Sequence, residues 1–505
     1  MKLFKKYKTA LRIFNNIYLN VIFVLIIGSS LLQSQSNQKF PEFVSSLQNL
    51  TSLQRTAKVD SFITAQTIKG FPVIESTAVY FIYRGSVSSS IVLTGDHTNW
   101  TLPGNLMQKV FDTDLHFVKK EFELDARIDY KFVIGNGGSW ILDPLNSKTI
   151  MGGFGPNSEL AMPNYIQPKE IIYNPNIAHG TVTNFTITSS YLNNSRVVKV
   201  YNPGSTNPNY EFPTIYVHDG IDYINIGSMV NVLDNLIAEK KIDPLICVFV
   251  PPIDRSNEYL QSKIIGYSNF VTKELIPFID SNFKTIKSAS RRGVMGASNG
   301  GHISLYLAIN YPELFGFVAG QSSTITSQLI NPIQNNPRKN TFFYLDCGTY
   351  DINSSSFNFL ELNRNFFNLL KSKSYNVKYF EYHEGHSWGN WRAHLDDILK
   401  SFQTITSTPK VKPVSPSRGN IEVLPNYPNP FNPLTNISFL LNKKEYITLT
   451  LSDILGRNIK TISEGFFEAG KHTINFEANE IKSGSYFYTF QTSNQSITKK
   501  MIVIK

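Results

Sequence analysis

Between residues 178 and 405, apolar runs with strand character alternate with helical stretches, and this alternation restricts the fold of the 505-residue chain more than any other feature. The runs are continuously apolar rather than alternating, as in TIYVHDG, ICVFVPP and TFFYLDCG. Such strands are buried on both faces, and the helices between them supply the covering layers. The pattern therefore predicts an α/β fold, a mostly parallel sheet with helices on both faces.

The segments on either side of this domain have a different pattern. Short strands separated by Gly, Asn and Asp turns precede it and predict a small all-β sandwich over 71–167. After it, YITLTLSD alternates Ile447, Leu449 and Leu451 with polar residues and predicts a second sandwich over 420–505. The remaining predicted boundaries are a loose, weakly patterned lead-in over 37–70, the α/β domain over 168–405 and a Pro/Ser-rich linker over 406–419.

The N-terminus is typical of an export signal. Residues 1–36 contain five cations and no acidic residue, and the apolar run from Val21 to Leu32 is followed by small residues at Ser34 and Ser36. Because this run is short for a bilayer span, we expect a cleaved signal peptide, with an uncleaved anchor as the alternative. No stable membrane span is expected after cleavage.

Charge and cysteine content exclude several classes of protein. Without residues 1–36, 43 basic residues face 38 acidic ones, a net charge of +5 that is dispersed along the chain. A charge this small, with no basic stripe, argues against nucleic acid as a partner. Only Cys247 and Cys347 occur, each in an apolar run, so we expect buried structural thiols and no metal site.

The stretch GVMGASNGGH contains the pattern G-x-S-x-G at residues 296–300, between a predicted strand and a predicted helix. Small residues permit the sharp turn that exposes a serine hydroxyl at the carboxyl edge of a sheet. We therefore predict Ser298 as a nucleophile. The alternative is a glycine turn that only packs the helix on the strand.

A serine nucleophile needs a histidine base and an acid that orients the base, and in this fold the chain order is Ser, acid, His. Asp351 follows the run TFFYLDCG and His386 follows VKYFEYH, each on a loop beyond a strand, where ligand sites form. Asp346, inside its run, and His383, at the end of its strand, are the alternatives.

The negative charge that develops on the attacked carbonyl needs two backbone donors. The N–H of Asn299 supplies one of them. The second is expected in the loop after TIYVH, where the N–H of Gly220 or Ile221 is the candidate. This chemistry is complete without a cofactor or metal.

With those residues placed, the segment from about 178 to 405 resembles the esterase D-like α/β-hydrolases, which include carbohydrate esterase family 1 and the ferric-enterobactin esterases. The matching stretches, in the family's order, are YVHDG, DRSNEY, VTKELIPFIDSNFK, GVMGASNGGHISLYLAINYPELFG, LDCGTYD and EGHSWGNWR. The resemblance implies the same catalytic triad. It also implies that Arg255 and Glu258 lie near the substrate, with a loop ion pair as the alternative, and that Trp388 is a candidate wall of an acyl pocket, whereas Trp391 belongs to the core.

The first sandwich resembles a family-48 carbohydrate-binding module through IVLTGDHTNW, DYKFVIGNGGSWILDP and GPNSEL. In carbohydrate-binding members, two tryptophans from these stretches form a platform for sugar rings. Trp100 and Trp140 match them, and Lys131 and Asn157 match the flanking polar contacts. The alternatives are a sandwich that shapes the active-site entrance, and tryptophans that belong to the core.

The last segment resembles the C-terminal type A sorting domain of the type IX secretion system through LPNYPNPFNPLTNISF, LSDILGR and the terminal KKMIVIK. This resemblance implies that the type IX secretion machinery is a partner and that the protein is secreted or held at the cell surface. A second sugar-binding sandwich is the alternative.

These expectations favour a secreted serine esterase that removes feruloyl or acetyl groups from plant polysaccharide such as xylan. The first alternative keeps the chemistry but acts on a siderophore lactone of the enterobactin type, and export argues against it because such lactones are usually hydrolysed inside the cell. The second alternative is a non-catalytic carbohydrate-binding surface protein, and the intact Ser–Asp–His set argues against it.

Overall fold

The computed structural model of the chain describes residues 38–135, 137–205, 207, 209–354, 357–406, 421–492 and 496–505. The chain divides into two compact units, Met1–Ser407 and Thr408–Lys505. The predicted signal peptide, and all but the first residue of the predicted linker, lie outside the described residues. Within the described ranges, no helix is both long and apolar enough to cross a membrane.

The segment before the first sandwich is helical and packed, so the prediction of a loose lead-in over 37–70 is wrong. Helix α1 covers Phe40–Ser45, and α2 covers Ser52–Lys69. Phe43 is buried, and its ring stacks on that of Phe62 with a centroid distance of 4.1 Å. Helix α1 has only six residues, and in α2 Val59 alone is fully buried, so neither shows the continuous apolar stripe by which an amphipathic helix is recognised.

Ten short strands form the first sandwich: β1 (Val73–Glu75), β2 (Ala78–Arg84), β3 (Ile91–Gly95), β4 (Asn105–Leu106), β5 (Gln108–Lys109), β6 (Leu115–Glu121), β7 (Arg127–Ile134), β8 (Ser139–Ile141), β9 (Thr149–Gly152) and β10 (Gly155–Ala161). One sheet has the order β1-β2-β6-β5, and the other is built around β7. Phe81 from the first sheet and Tyr130 from the second meet edge to face at 4.8 Å in the core between them.

Eight strands form the sheet of the central domain: β11 (Thr181–Ser189), β12 (Asn194–Asn202), β13 (Thr214–His218), β14 (Ile246–Val250), β15 (Arg292–Ala297), β16 (Phe317–Gln321), β17 (Phe342–Tyr350) and β18 (Asn376–Gly385). Their order is β11-β12-β14-β13-β15-β16-β17-β18. The neighbours from β14 to β18 pair in parallel, whereas β12 is antiparallel to β11 and β14. The predicted α/β-hydrolase fold is confirmed.

Helices cover both faces of this sheet: α3 (Gly220–Asn225), α4 (Met229–Ala238), α5 (Arg255–Tyr259), α6 (Ile264–Asn269), α7 (Ile276–Asn282), α8 (Asn299–Asn310), α9 (Ser327–Asn335), α10 (Phe359–Ser372), α11 (Trp388–Ala393) and α12 (Leu395–Thr406). A π-helical segment, Phe270–Leu275, joins α6 to α7. Tyr216 of β13 packs on the face covered by α8 and α9, whereas its neighbours Ile215 and Val217 pack on the face covered by α4 and α12. This alternation places one apolar layer on each face of the sheet.

The first sandwich and the central domain share one continuous sheet. Glu384, near the end of β18, pairs in parallel with Arg127 at the start of β7. The sheet thus continues as β18-β7-β10-β9 and contains 14 strands in all. The sandwich therefore covers the edge strand of the central domain, the same strand that leads to His386.

The second unit is an all-β sandwich formed by β19 (Ile421–Val423), β20 (Leu434–Leu441), β21 (Glu445–Ser452), β22 (Asn458–Phe467), β23 (Gly470–Glu477), β24 (Gly484–Gln491) and β25 (Ser496–Val503). Its two sheets have the orders β19-β20-β23 and β22-β21-β24-β25. Ile447, Leu449 and Leu451 of β21 are fully buried, as their alternation with polar residues predicts.

We expect Phe43→Ala to destabilise the packing of α1 and α2 by about 3–5 kcal/mol, because it removes a buried ring and leaves a cavity. Hydrogen–deuterium exchange of peptides from residues 40–69 should accelerate accordingly. The control Leu53→Ala removes a side chain of α2 that is 82% exposed, and exchange should hardly change. Equal exchange rates in the two variants would show that α1 and α2 are not docked.

Candidate active site

Ser298 lies in the sharp turn between β15 and α8, with backbone angles φ +57° and ψ −119°. Residues other than glycine rarely adopt this region, so the turn is strained, as a nucleophile elbow requires. Two hydrogen bonds hold it: the Ser298 N–H donates to the Gln321 carbonyl at 2.9 Å, and its carbonyl accepts from the Thr324 N–H at 3.1 Å. Because Ser298 directly follows β15, it lies at the carboxyl edge of the sheet. It is only partly buried there.

The first turn of α8 crosses very close to the end of β13. A Cβ on Gly300 would lie 2.6 Å from Oδ2 of Asp219, which follows β13 directly. Only a residue without a side chain permits this approach. The glycine of the motif therefore allows the elbow to reach the loop after β13.

His386 and Asp351 are brought together by the ends of β18 and β17. Nδ1 of His386 lies 2.7 Å from Oδ1 of Asp351. The acid is fully buried, and the histidine side chain is 15% exposed. Asp351 also accepts from the Ile352 N–H at 2.7 Å and from Sγ of Cys347 at 3.4 Å. With the Nδ1 proton directed at the acid, Nε2 of His386 is the basic nitrogen.

Aromatic rings fix the plane of the His386 imidazole. Its centroid lies 4.6 Å from that of Phe359 and 5.0 Å from that of Trp391. Trp391 belongs to the core, as predicted, and from there it also contacts the histidine. Trp388 is buried next to Trp391, with 5.1 Å between the ring centroids. Its ring also lies 5.1 Å from that of Tyr223 of α3, so Trp388 connects α11 to α3.

The alternative acid, Asp346, and the alternative base, His383, have other hydrogen-bond partners. Asp346 is fully buried inside β17, where Oδ2 accepts from Nε2 of Gln321 at 3.3 Å, and burial raises its pKa to about 7. Nδ1 of His383 lies 2.7 Å from Oδ1 of Asp125 in the first sandwich. The structure therefore pairs His386 with Asp351.

The candidate oxyanion donors lie at the first turns of two helices. Gly220 and Ile221 begin α3, and Asn299 begins α8. The first N–H groups of a helix have no acceptor within the helix, so they are available to an oxyanion. Because β13 and β15 are neighbours in the sheet, both helix starts lie at the same edge.

Arg255 ties these two helix starts together. Its guanidinium donates to both carboxylate oxygens of Asp219, at 2.8 and 2.7 Å, and Nη2 donates to the Ala297 carbonyl at 3.3 Å. Asp219 directly precedes Gly220, and Ala297 directly precedes Ser298. The Arg255 side chain remains 40% exposed, so it also presents positive charge beside the elbow.

Glu258 was predicted near the substrate, but the structure buries it within the fold and gives it no exposed surface. It is fully buried, and its two oxygens accept from Nη1 and Nη2 of Arg196, each at 2.9 Å. Oε2 also accepts from the Ile253 N–H at 3.2 Å. Glu258 thus forms an ion pair with Arg196 of β12 and not with Arg255, which binds Asp219, so the alternative of an ion pair within the loop is not found either.

The two tryptophans of the first sandwich lie side by side. The rings of Trp100 and Trp140 are 6.4 Å apart and inclined by 20°, and Trp140 is 41% exposed. Lys131 is partly exposed on the neighbouring strand β7. The Asn157 amide donates to Oδ2 of Asp129 at 3.0 Å, so its NH₂ group has a partner within the sandwich.

The sandwich also borders the candidate site, as the alternative of a sandwich at the active-site entrance predicts. Oδ1 of Asn99 accepts from the Asn353 N–H at 2.7 Å, in the loop after Asp351. In the hairpin between β9 and β10, a Cβ on Gly153 would lie 3.9 Å from Nε1 of Trp388, and the next residue, Phe154, is fully exposed. The GGFG turn was the only local signal of this hairpin.

Both cysteines are free and buried, as expected of structural thiols. Across the described part of the chain, no cluster of three or more His, Cys, Asp or Glu side chains could hold a metal ion.

Comparison with known proteins identifies two domains. A family model described as putative esterase matches residues 189–402, and one described as secretion system C-terminal sorting domain matches residues 426–505. The uncharacterized protein YjcH of Bacillus subtilis is 30% identical over 233 residues, which cover 44% of this chain and 97% of that protein. The sorting domain shows that the protein is exported, to the cell surface or the medium.

Two further proteins are similar to this chain, one over 22% and the other over 93% of its own length. The endo-1,4-beta-xylanase/feruloyl esterase of Xylanibacter ruminicola is 27% identical over 160 residues, 29% of this chain and 22% of that protein. The crystal structure of the enterobactin esterase FES from Shigella flexneri, in the presence of enterobactin, has a TM-score of 0.55 and 22% identity, over 65% of this chain and 93% of that chain. That share is longer than the central domain alone. The likeness of this sandwich to a carbohydrate-binding module stays a prediction.

We expect Asp351→Asn to lower kcat/KM on a soluble ester by about 10³–10⁴-fold, because an amide orients the wrong imidazole tautomer. Asp346→Asn is the matched control, since this carboxyl lies on the same strand but away from His386. Near pH 7 its carboxyl is already protonated in a large share of molecules, so activity should stay within about threefold. A large loss in Asp346→Asn with little loss in Asp351→Asn would reverse the assignment of the acid.

The control variant Asp346→Asn should also change how the free energy of unfolding depends on pH. The pKa of Asp346 is higher in the folded protein than in the unfolded chain, so its contribution to stability is complete below pH 4 and decreases as the pH rises through about 7. Asp346→Asn should abolish this decrease when the free energy of unfolding is measured against pH.

Proposed function

Since this chain belongs through its central domain to the putative esterase family, and is therefore a carboxylic ester hydrolase, we propose that it is a secreted serine esterase that removes feruloyl or acetyl groups from plant polysaccharide such as xylan. The observation that carries the serine mechanism is the 2.7 Å hydrogen bond between His386 and Asp351, at the same sheet edge as the strained Ser298.

In the proposed reaction, Nε2 of His386 takes the proton of the Ser298 hydroxyl as its oxygen attacks the ester carbonyl. Asp351 holds the imidazole tautomer and stabilises the imidazolium. The N–H groups of Asn299 and of Gly220 or Ile221 bind the oxyanion. His386 then returns the proton to the leaving alcohol, and a water molecule, activated by the same nitrogen, hydrolyses the acyl-enzyme and regenerates Ser298.

Two observations support a polysaccharide substrate. The rings of Trp100 and Trp140, 6.4 Å apart and inclined by 20°, offer an aromatic surface to the apolar faces of sugar rings. Lys131, which is partly exposed on β7, is the expected polar contact. Export delivers the enzyme to the extracellular space, where a polymer too large to enter a cell is found. The xylanase/feruloyl esterase relative agrees with this substrate class.

Aromatic side chains near the site favour a feruloyl over an acetyl group. Phe154 is fully exposed on the hairpin beside Trp388, and Phe359 packs on His386. An aromatic acyl group buries far more apolar area on such surfaces than an acetyl group does.

A siderophore lactone is the second candidate substrate, and Arg255 is the observation that favours it. Its partly exposed guanidinium beside Ser298 would attract the negative charge of an iron-bound catecholate. The third candidate, a non-catalytic carbohydrate-binding surface protein, would use the tryptophan pair without turnover at Ser298.

Ser298→Ala should remove the nucleophile, lower the turnover of esters by at least about 10⁴-fold and prevent labelling by a fluorophosphonate probe, without loss of the fold. The wild type should hydrolyse methyl ferulate and acetylated xylan, and we expect the ferulate to be preferred. Cleavage of enterobactin but of neither plant ester would favour the siderophore candidate. A wild type that neither turns over esters nor reacts with the probe would leave the binding protein as the function.

Trp140→Ala should weaken action on feruloylated polysaccharide but not on methyl ferulate, because only the polymer reaches the tryptophan pair. Loss of one stacked ring is worth on the order of 1 kcal/mol, so KM for the polymer should rise roughly fivefold. Tyr191→Ala, which removes a ring that is 43% exposed on the central domain, is the matched control and should change neither substrate. Equal effects of both variants on the polymer would contradict sugar binding by the pair.

A further inference from the structure

The loop that carries His386 rests on the first sandwich. The edge strand β18 ends at Gly385 and α11 begins at Trp388, and the candidate base lies between them, within residues 384–389. Three contacts from the sandwich reach this short stretch, and each lies within three residues of His386.

The first contact is the side chain of Arg127, which is fully buried. Nη1 donates to Oγ of Ser387, the residue after His386, at 3.3 Å. The backbone at Gly389 lies directly on the guanidinium plane, since a Cβ there would be 1.9 Å from Cζ of Arg127. The arginine therefore forms the floor beneath the loop on its C-terminal side.

The second contact is the side chain of Asp96. A Cβ on Gly385, the residue before His386, would lie 2.0 Å from Cγ of Asp96, so no other residue fits there without a shift. Asp96 is itself held by the sandwich: Oδ2 accepts from the Asp129 N–H at 2.8 Å, and Oδ1 accepts from Nε1 of Trp100 at 2.9 Å. The loop thus has a sandwich residue beneath it on each side of the histidine.

The third contact is the backbone pairing of Glu384 with Arg127, which joins β18 to β7. The arginine cannot shift easily, because Nη2 donates to Oδ1 of Asp129 at 2.7 Å and Nε donates to Oε1 of Glu159 at 2.6 Å. Both carboxylates belong to the sandwich. A buried guanidinium with its carboxylates in place is rigid, and removal of a partner from such a group is strongly destabilising.

From these contacts we propose that Arg127 is a positioning residue for His386, and that the first sandwich is an integral part of the catalytic apparatus rather than only a binding module. General-base catalysis requires the imidazole within hydrogen-bond reach of the serine, and misplacement of about 1 Å costs on the order of 10²-fold in rate. The inference rests on the proposed serine mechanism.

The test compares Arg127→Met with Arg292→Met in the full chain. Arg292 is also buried and donates to Oδ2 of Asp280 at 2.8 Å, but it begins β15 at the end of the strand opposite to Ser298. The substrate is p-nitrophenyl acetate, which is too small to depend on binding by the sandwich. Reaction of Ser298 with a fluorophosphonate probe reports on activation of the serine without turnover.

We expect Arg127→Met to lower kcat and the labelling rate together, by about tenfold or more, with KM within about threefold. Arg292→Met should lower the thermal midpoint to a similar extent and leave kcat and labelling within about threefold. Equal kcat in the two variants would overturn the positioning role and leave Arg127 as a structural residue.

A second, milder variant keeps the test valid if Arg127→Met does not fold. Ser387→Ala removes only the hydroxyl that accepts from Arg127 and should lower kcat and labelling severalfold without a large shift in the thermal midpoint. Unchanged values in Ser387→Ala, together with recovery of full activity in Arg127→Lys, would contradict the proposal. Failure of the wild type to react with the probe would instead refute the serine mechanism itself.

Discussion

The strained backbone at Ser298 is the constraint on which the rest of the central domain depends. A conformation of this kind costs on the order of 1–3 kcal/mol and persists only where neighbouring contacts determine it. Here β16 and the loop after it bond both the N–H and the carbonyl of the serine, and Gly300 lets α8 approach Asp219. Arg255 then binds Asp219 and the carbonyl before the serine, so the turn and the candidate oxyanion donors form one rigid group.

Asp346 lies on β17, and Asp351 lies in the loop that follows this strand. Their different surroundings give the two carboxyl groups different roles. Asp346 lies within the sheet, where burial raises its pKa to about 7 and favours the neutral form. Asp351 lies beyond the strand end, where the Ile352 N–H, the Cys347 thiol and the His386 ring all approach its oxygens. These contacts fix the orientation of the Asp351 carboxyl group, which in turn orients the His386 ring.

Local patterns predicted the features that depend on local chemistry. Apolar runs separated by helices predicted the sheet, and the positions of Ser298, Asp351 and His386 after three of its strands, β15, β17 and β18, follow from that pattern. Glu258 was misplaced because its partner, Arg196, lies 62 positions away and has no signal in the R-x-x-E-Y element. The contact between Arg127 and Ser387 spans 260 positions, and the apolar residues of the first segment are divided between helices α1 and α2. In each of these cases tertiary packing decided the outcome.

The continuous sheet between β18 and β7 has a consequence for how such a protein is inherited. Accessory domains that are joined only by a linker pass between genes as separate cassettes, since neither partner has to adapt its surface to the other. Here Gly385 and Gly389 leave the space that Asp96 and Arg127 of the sandwich fill. A sandwich with other side chains at these two positions would not pack on the loop in the same way. Substitutions on one side of the junction therefore restrict those that the other side can accept.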